Sequence, residues 1–351
     1  MVRIDGSQGE GGGQILRTSL SLAAITGQEL EIYNVRAGRK QPGLAAQHVT
    51  CCLAVAEVCG GRVDGAELDS QAVRLAPGSV AGGEYRFDVG RVRPSAGSAC
   101  LVLQSILPVL ALAPRSSRVV IRGGSDVPWS PVYAYLANTF APALSRFGIR
   151  LAFRRPAAGF YPIGKGCLEA EITPAGPVAS INLTQRGELQ RAVVASTVAD
   201  KLPKHILKRQ NFAARTLLAA AGLDADSEEY YLESASPGTS CVVSLWYQSG
   251  HAGFTALGKR GMPAEEVGSQ AASEAVEFID SEAAVDRHLA DQLLLYMVMA
   301  RGRSQLCTTE TTEHLRTNAA VAGQLTGAEI DIREDGRVVV RGVALAAFET
   351  D

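Results

Sequence analysis

The sequence predicts an α/β (α+β) protein built from three repeats of a βαβαββ unit, a four-stranded sheet with two helices, interrupted once by a smaller α/β domain. Three observations predict it. Alternating apolar runs are interleaved with stretches at helical spacing, and their order recurs along the chain. Glycines punctuate the helix ends. The segment Leu325-Thr326-Gly327-Ala328-Glu329-Ile330 echoes Ile25-Thr26-Gly27-Gln28-Glu29-Leu30 at a helix-to-strand turn.

The elements follow in order. Val2-Arg3-Ile4-Asp5 reads as a strand and Gly9-Glu10-Gly11-Gly12-Gly13 as a tight turn. Ile15, Leu16, Leu20, Leu22 and Ile25 give a helix over 14–25, closed by Gly27. A strand over 30–35, a helix over 43–58 and strands near Arg62-Val63 and at 72–75 complete the first unit. The second has a strand at 85–89, a helix over 99–112, a strand at 118–122, a helix over 132–147 and strands at 150–153 and 168–172. A third begins with a strand at 179–183 and resumes with a helix over 285–299, a strand reaching Cys307, a helix from Asn318 and strands at 328–332 and 337–340. Between them, 186–280 carries its own strands (192–195, 230–232, 242–246, 254–257), a basic helix over 203–221 and a helix over 264–278. The expected division is 1–185 and 281–351 as the core, with 186–280 inserted at a surface turn. Sites in such assemblies lie where units meet, which would bring Glu10, His48 and His314 together.

Composition narrows the function. At 46% hydrophobic and 20% charged residues the chain is an ordinary globular one, long enough for about two domains. A formal charge of -2 excludes a global pull toward nucleic acid, so any RNA binding must come from local arginine clusters. The apolar run 101–112 is interrupted by Gln104, Ser105 and Pro108 and is too short for a membrane span. The first residues enter a strand pattern directly, without a basic-then-apolar leader. The seven cysteines form no C-x-x-C pair and read as reduced, mostly buried thiols of a cytoplasmic protein.

The residues that can do chemistry are scattered. His314 sits among hydroxyl and charged side chains, Thr308 to Asn318, between a strand and a helix. An imidazole partly neutral near pH 7 can be a nucleophile there; the alternative is a surface or capping histidine. The glycine turn lacks a third dinucleotide-type glycine, because Gln14 stands in its place, and lacks a P-loop's Lys-Ser/Thr. It still sets backbone N–H groups at a helix start beside Glu10, a candidate metal contact, with Arg17 a turn further on. Arg36-Ala37-Gly38-Arg39-Lys40 places three cations in five residues, suited to phosphate or simply to solvent. Gln47-His48 follows, where His48 can meet phosphate or be a satisfied polar residue. The loop 124–135, with Trp129, Pro131 and Tyr135, offers a wall for base stacking or plain packing. His288 and Asp291 share a helix face, and Asp291 can orient an imidazole. Together these fit attack on the α-phosphate of a nucleotide, where positioning and charge neutralisation dominate.

Over nearly its whole length the sequence resembles the RNA 3′-terminal phosphate cyclases. The matching segments are Asp5-Gly6-Ser7-Gln8-Gly9-Glu10-Gly11-Gly12-Gly13-Gln14-Ile15-Leu16-Arg17, Arg36-Ala37-Gly38-Arg39, Gln47-His48, Leu103-Gln104, Gly159-Phe160-Tyr161-Pro162, Leu289-Ala290-Asp291-Gln292, and His314 with Thr317-Asn318. The resemblance implies a thioredoxin-like topology for the insert. It implies a histidine, here His314, that becomes adenylylated by ATP, passes AMP to an RNA 3′-phosphate, and so leads to a 2′,3′-cyclic phosphate. It also implies Glu10 as contact for Mg²⁺ or Mn²⁺, Asp291 as the residue steering His314, and Arg17, Arg36, Arg39, Gln47 and His48 at phosphates. Gln104 and Gln292 would line the pocket, and Pro131, Tyr135 and His288 would surround adenine. His288 stands where the family often has tyrosine, and Gly164-Lys165-Gly166 replaces an all-glycine run. Two rivals are a non-catalytic cyclase-like RNA-binding factor in ribosome assembly and an enolpyruvyl transferase. Retention of His314, Arg17 and Glu10 argues against the first, and the glycine turn with 311–318 against the second.

Overall fold

The computed structural model describes residues 1–348 and shows a mixed α/β protein with four sheets of four strands each. The first sheet holds β1 (Val2–Asp5), β2 (Leu30–Tyr33), β3 (Arg62–Asp64) and β4 (Val73–Ala76) in the order β1-β2-β4-β3. Its helices are α1 (Gly13–Thr26) and α2 (Ala46–Val58). The second holds β5 (Glu84–Asp88), β6 (Ser117–Gly123), β7 (Arg150–Ala157) and β8 (Gly166–Thr173) in the order β5-β6-β8-β7. Its helices are α3 (Ala99–Leu110) and a broken rod of α4 (Tyr133–Tyr135), a π-turn (Leu136–Phe140) and α5 (Ala141–Ser145).

Next in the chain comes β9 (Asn182–Leu183), and then a group of strands that pair with one another. These are β10 (Leu189–Ala199), β11 (Asp226–Leu232), β12 (Thr239–Tyr247) and β13 (His251–Leu257), ordered β11-β10-β12-β13. They carry α6 (His205–Ala220) and α7 (Ala264–Ile279) over a separate apolar cluster that includes Val194, Leu218, Val243, Leu245 and Ala271. β9 instead pairs with β14 (Arg301–Cys307), which pairs with β16 (Arg337–Val343), itself edged by β15 (Glu329–Ile332). The helices of that sheet are α8 (Arg287–Met299) and α9 (Glu313–Thr326). In every one of the four sheets one pair is parallel and two are antiparallel.

The glycine punctuation is realised in the backbone. Gly27 and Gly327 close α1 and α9 in the left-handed region, with φ of 65° and 72°. Thr26 and Thr326 just before them each return a hydroxyl to the carbonyl four residues back, Leu22 at 2.8 Å and Ala322 at 2.6 Å. The two ends abut, since the Gln28 amide donates to the Leu325 carbonyl at 3.0 Å. One apolar cluster runs from Ile4 to Val340 and fuses the helices of the first and second sheets with those of the β14 sheet.

Three elements differ from expectation. The helix expected from Asn318 starts at Glu313, because the Thr312 cap begins it a turn earlier, so His314 lies inside it. The helix expected over 132–147 widens into the π-turn, where the Trp246 indole N–H takes the Asn138 carbonyl and Thr139 meets the Ser244 hydroxyl at 3.0 Å. The strand expected at 179–183 keeps only two residues, Asn182 and Leu183, in register with β14. No helix among the described residues is long and apolar enough to cross a membrane. All seven cysteines are free thiols; Cys167 and Cys307 are half-buried and the others buried.

Candidate active site

The site forms where α1, α2, α8 and α9 bring their ends together. α9 begins with Thr312, whose hydroxyl accepts the Leu315 N–H at 3.1 Å and fixes the first turn. His314 lies in that turn. Its Nε2 stands 2.8 Å from Glu10 Oε2, with 45% of the side chain exposed. Its Nδ1 is buried and without a partner. Only Nε2 can therefore meet a ligand from solvent.

The glycine turn makes this approach possible. Gly9 has φ of +51°, and a Cβ there would sit 2.1 Å from Thr317 Oγ1 on α9. A Cβ on Gly13 would sit 2.4 Å from His48 Nε2 and 3.2 Å from Arg17 Nη1. At Gly12 the same atom would meet Arg39 Nη2 at 2.6 Å. The missing side chains thus let three polar groups from elsewhere close on the start of α1. That helix has no capping side chain at Gly12 and no acid in its first turn, so its N–H groups face the same space.

Positive charge accumulates around His48. Arg39 Nη2 reaches Glu10 Oε2 at 3.3 Å. Arg36 holds the Gly43 carbonyl at 2.5 Å from a left-handed backbone, φ 54°. Its own pKa is lowered by burial and by Arg39. Burial, then Arg36, Arg17 and Arg39, push the His48 pKa down to about 3. Its Nδ1 accepts the Ala45 N–H at 3.2 Å, so the neutral ring turns an N–H at Nε2 toward the glycine turn. Such a cluster is built for an anion.

Behind it lies a polar chain across three helices. Arg17, buried and with its pKa lowered by desolvation, donates to Gln14 Oε1. The Gln14 amide donates to Asn318 Oδ1 at 3.2 Å, and Thr18 Oγ1 donates to the same oxygen at 2.5 Å. Asn318 in turn donates to Asp291 Oδ1. Burial raises the Asp291 pKa, while the His314 charge and the Asn318 hydrogen bond oppose that rise. The carboxylate bonded to His314 is thus Glu10, whereas Asp291 is bonded to Asn318, on the same helix as His314.

Other expected residues are placed as follows. Gln47 Oε1 accepts the Ser98 N–H at 2.9 Å, tying α2 to the start of α3, where Gln104 is half-buried. Gln292 is half-buried with its Oε1 unpartnered. Pro131 is half-buried in its loop, and His288 is exposed on the first turn of α8. Tyr135 is buried, and its hydroxyl donates to Asp286 at 3.1 Å, the residue that caps α8 through the N–H groups of His288 and Leu289. The structure therefore gathers Glu10, Arg17, Arg39, His48, Asp291 and His314, while Tyr135 sits at the start of α8, which carries His288, and Pro131 is not tied to either group. Gln14, Thr18 and Asn318 carry the polar chain. Gln14 and Asn318 were signalled only by membership of the matching segments, and Thr18, one residue past the first of them, by nothing.

Among the described residues no group of three or more His, Cys, Asp or Glu side chains is placed to hold a metal. Glu10 nevertheless fits a single-carboxylate contact. Arg39 and His314 both fall on Oε2 and neither on Oε1. A hard divalent ion is commonly held by one or two carboxylates plus substrate phosphates and water.

Fold and site define a mixed α/β protein in which one reachable imidazole faces a glycine turn and an arginine cluster. The sequence pattern of the family described as RNA 3′-terminal phosphate cyclase matches residues 8–332. A protein named RNA 3′-terminal phosphate cyclase from Methylococcus capsulatus is 44% identical over 97% of this chain and 96% of its own. One of the same name from Nostoc sp. is 42% identical over 97% and 98%. The chain belongs to the RNA 3′-terminal phosphate cyclase family. Among solved structures, the enolpyruvyl transferase NikO from Streptomyces tendae is similar at TM-score 0.40 and 12% identity, over 99% of this chain and 49% of that one, too weak a likeness to argue from.

Proposed function

We propose that this protein is an ATP-dependent RNA 3′-phosphate cyclase of the cytoplasm, acting through a covalent adenylate on His314. The observation that carries the reading is the His314 Nε2 placed 2.8 Å from Glu10, at the mouth of the glycine turn and its arginines. His314 Nε2 attacks the α-phosphorus of ATP; an N–P bond forms, the bond to the β-phosphate oxygen breaks, and pyrophosphate leaves. Before the attack the proton that Nε2 shares with Glu10 passes to the carboxylate, Nδ1 keeping the ring's other proton, so that the Nε2 lone pair is free. An oxygen of the RNA 3′-phosphate then attacks the adenylate phosphorus and releases the imidazole. The neighbouring 2′-hydroxyl closes on the 3′-phosphorus, its proton passing to water, and AMP departs. Mg²⁺ or Mn²⁺ beside Glu10 would neutralise phosphate charge.

The chain's own residues supply the rest. Arg17, Arg36, Arg39, the His48 N–H and the uncapped start of α1 bind phosphate oxygens, with Gln47 holding α2 against α3. Asp291 orients α9 through Asn318. Gln104 and Gln292 line the pocket, and Pro131, Tyr135 and His288 shape the adenine side, Tyr135 by anchoring α8. The matching strand orders β1-β2-β4-β3, β5-β6-β8-β7 and β9-β14-β16-β15 support three repeats of one βαβαββ unit. The separate sheet and apolar cluster of β10 to β13 support 186–280 as an inserted thioredoxin-like domain in a core of 1–185 and 281–351.

The test uses α-labelled ATP with a divalent ion. The parent should gain an acid-labile, alkali-stable label, and His314→Ala should gain none. Equal labelling of His314→Ala would move the nucleophile elsewhere. A folded parent that never labels would favour a non-catalytic RNA-binding role.

A further inference from the structure

Three loops at one end of the second sheet form a surface that, Pro131 apart, the reaction chemistry does not use. They are 89–97, 124–131 and 159–165. Trp129 in the second is 98% exposed, and Tyr161 in the third is 69% exposed. Ile163 adds a further exposed apolar side chain. Bare apolar groups gathered on neighbouring loops and rimmed by polar residues are a mark of interaction sites, whereas scattered single ones are ordinary. Trp129 also holds a left-handed backbone, φ 64°, which a bulky residue rarely adopts.

The loops are pinned to each other and to the candidate site. Ser125 and Asp126 N–H groups both donate to the Gly159 carbonyl, at 2.9 and 3.0 Å. A Cβ on Gly164 would lie 2.9 Å from Ala96 Cα, so the third loop rests on the first. Gly97 gives its carbonyl to the Gly124 N–H at 2.8 Å, and a Cβ on it would be 3.0 Å from Gln47 Cβ. Gln47 is the residue before His48. The surface therefore begins where the phosphate cradle ends.

Its charge has one sign. Arg91, Arg93 and Lys165 are exposed, and the sole acid of the three loops, Asp126, is buried against Arg155. Flat aromatic faces with flanking cations are what a single-stranded nucleic acid needs: bases stack, phosphates pair.

We propose that this surface carries the single-stranded RNA just upstream of the 3′-phosphate, with Trp129 and Tyr161 stacking successive bases and Arg93 and Lys165 meeting the backbone. The inference rests on the cyclase reading, and its test is separable from it, since labelling by ATP needs no RNA. The chain has two tryptophans, Trp129 and Trp246, so Trp246→Phe leaves Trp129 as sole reporter. Adding a 3′-phosphorylated octanucleotide should quench its fluorescence. By anisotropy, Trp129→Ala and Tyr161→Ala should each weaken octanucleotide binding about tenfold, with Trp129→Phe and Tyr161→Phe close to the parent. The loss should vanish for a nucleoside 3′-phosphate, which has no base beyond the terminal one. Equal octanucleotide affinity in parent and alanine variants, absence of quenching, or equal losses at both lengths would overturn the proposal. Labelling of the parent in the first experiment, whatever the second gives, keeps the two conclusions apart.

Discussion

His48 shows how much one residue's surroundings decide. Burial lowers its proton affinity most, followed by Arg36, Arg17 and Arg39, none of which adjoins it in sequence. With a folded pKa of about 3 against 6.5, it stays neutral when folded and takes up a proton on unfolding anywhere between. The unfolded state then binds more protons, so stability is intact above 6.5 and falls as pH drops toward 3, by roughly 1.4 kcal/mol per pH unit. His251, lowered to about 4 mainly by burial, adds a loss of the same sign. His48→Gln keeps an acceptor for the Ala45 N–H but cannot charge. Urea midpoints measured from pH 7 to 4 should fall less steeply in that variant than in the parent. Parallel curves would mean that the imidazole is not buried in the arginine field. The residue types at this site were legible in the sequence, because a histidine beside hydroxyls and a carboxylate in a glycine turn are local signals. The meeting of Glu10 and His314 was expected from units packing together, but the direct bond between them was not, since Asp291 was the expected partner and only the fold decides which carboxylate reaches the ring.

At the scale of elements, helix ends were the most legible feature, because a left-handed glycine such as Gly27 or Gly327 is a local necessity. The π-turn was illegible. It depends on Trp246, which reaches Asn138 from 108 residues away. β9 was overread, because its apolar alternation says nothing about how much partner strand is present. The element that matters most for chemistry is the first turn of α9. Its Thr312 cap holds His314 at the Glu10 oxygen without touching either. Thr312→Ala should cost about 1 kcal/mol of stability and slow His314 labelling, while Thr312→Ser, which keeps the acceptor, should restore both. Calorimetry and a labelling time course check this. Full labelling speed in the alanine variant would show that the rest of the packing fixes the turn.

For the whole molecule the question is what holds the β10 to β13 sheet against the second sheet. A buried polar cluster joins them. Arg155 on β7 pairs with Asp126 at 2.5 Å, both side chains at most 1% exposed, and also donates to Thr197 on β10 at 2.8 Å. Ser240 on β12 donates to the other Asp126 oxygen at 2.8 Å, and Ser125 donates to the first at 2.7 Å. The Arg155 guanidinium lies over the rings of Tyr133 and Tyr230, at 4.4 and 5.4 Å, one from each side of the seam. Asp126 belongs to the loop that carries Trp129, so the cluster also braces the proposed RNA surface. Sequence patterns exposed the apolar faces of both sheets but could not show that an aspartate and an arginine separated by 29 residues would be sealed between them. A buried pair contributes little net stability, yet breaking it is expensive, because one charge is left without a partner. Arg155→Met should therefore destabilise the protein by roughly 3–5 kcal/mol by removing the partner of a buried carboxylate. Adding Asp126→Asn should recover part of that loss, since the stranded charge is removed with it. A double-mutant cycle by chemical denaturation checks the coupling. Additive losses would show that the two side chains do not act as a pair, and that apolar packing alone keeps the seam closed.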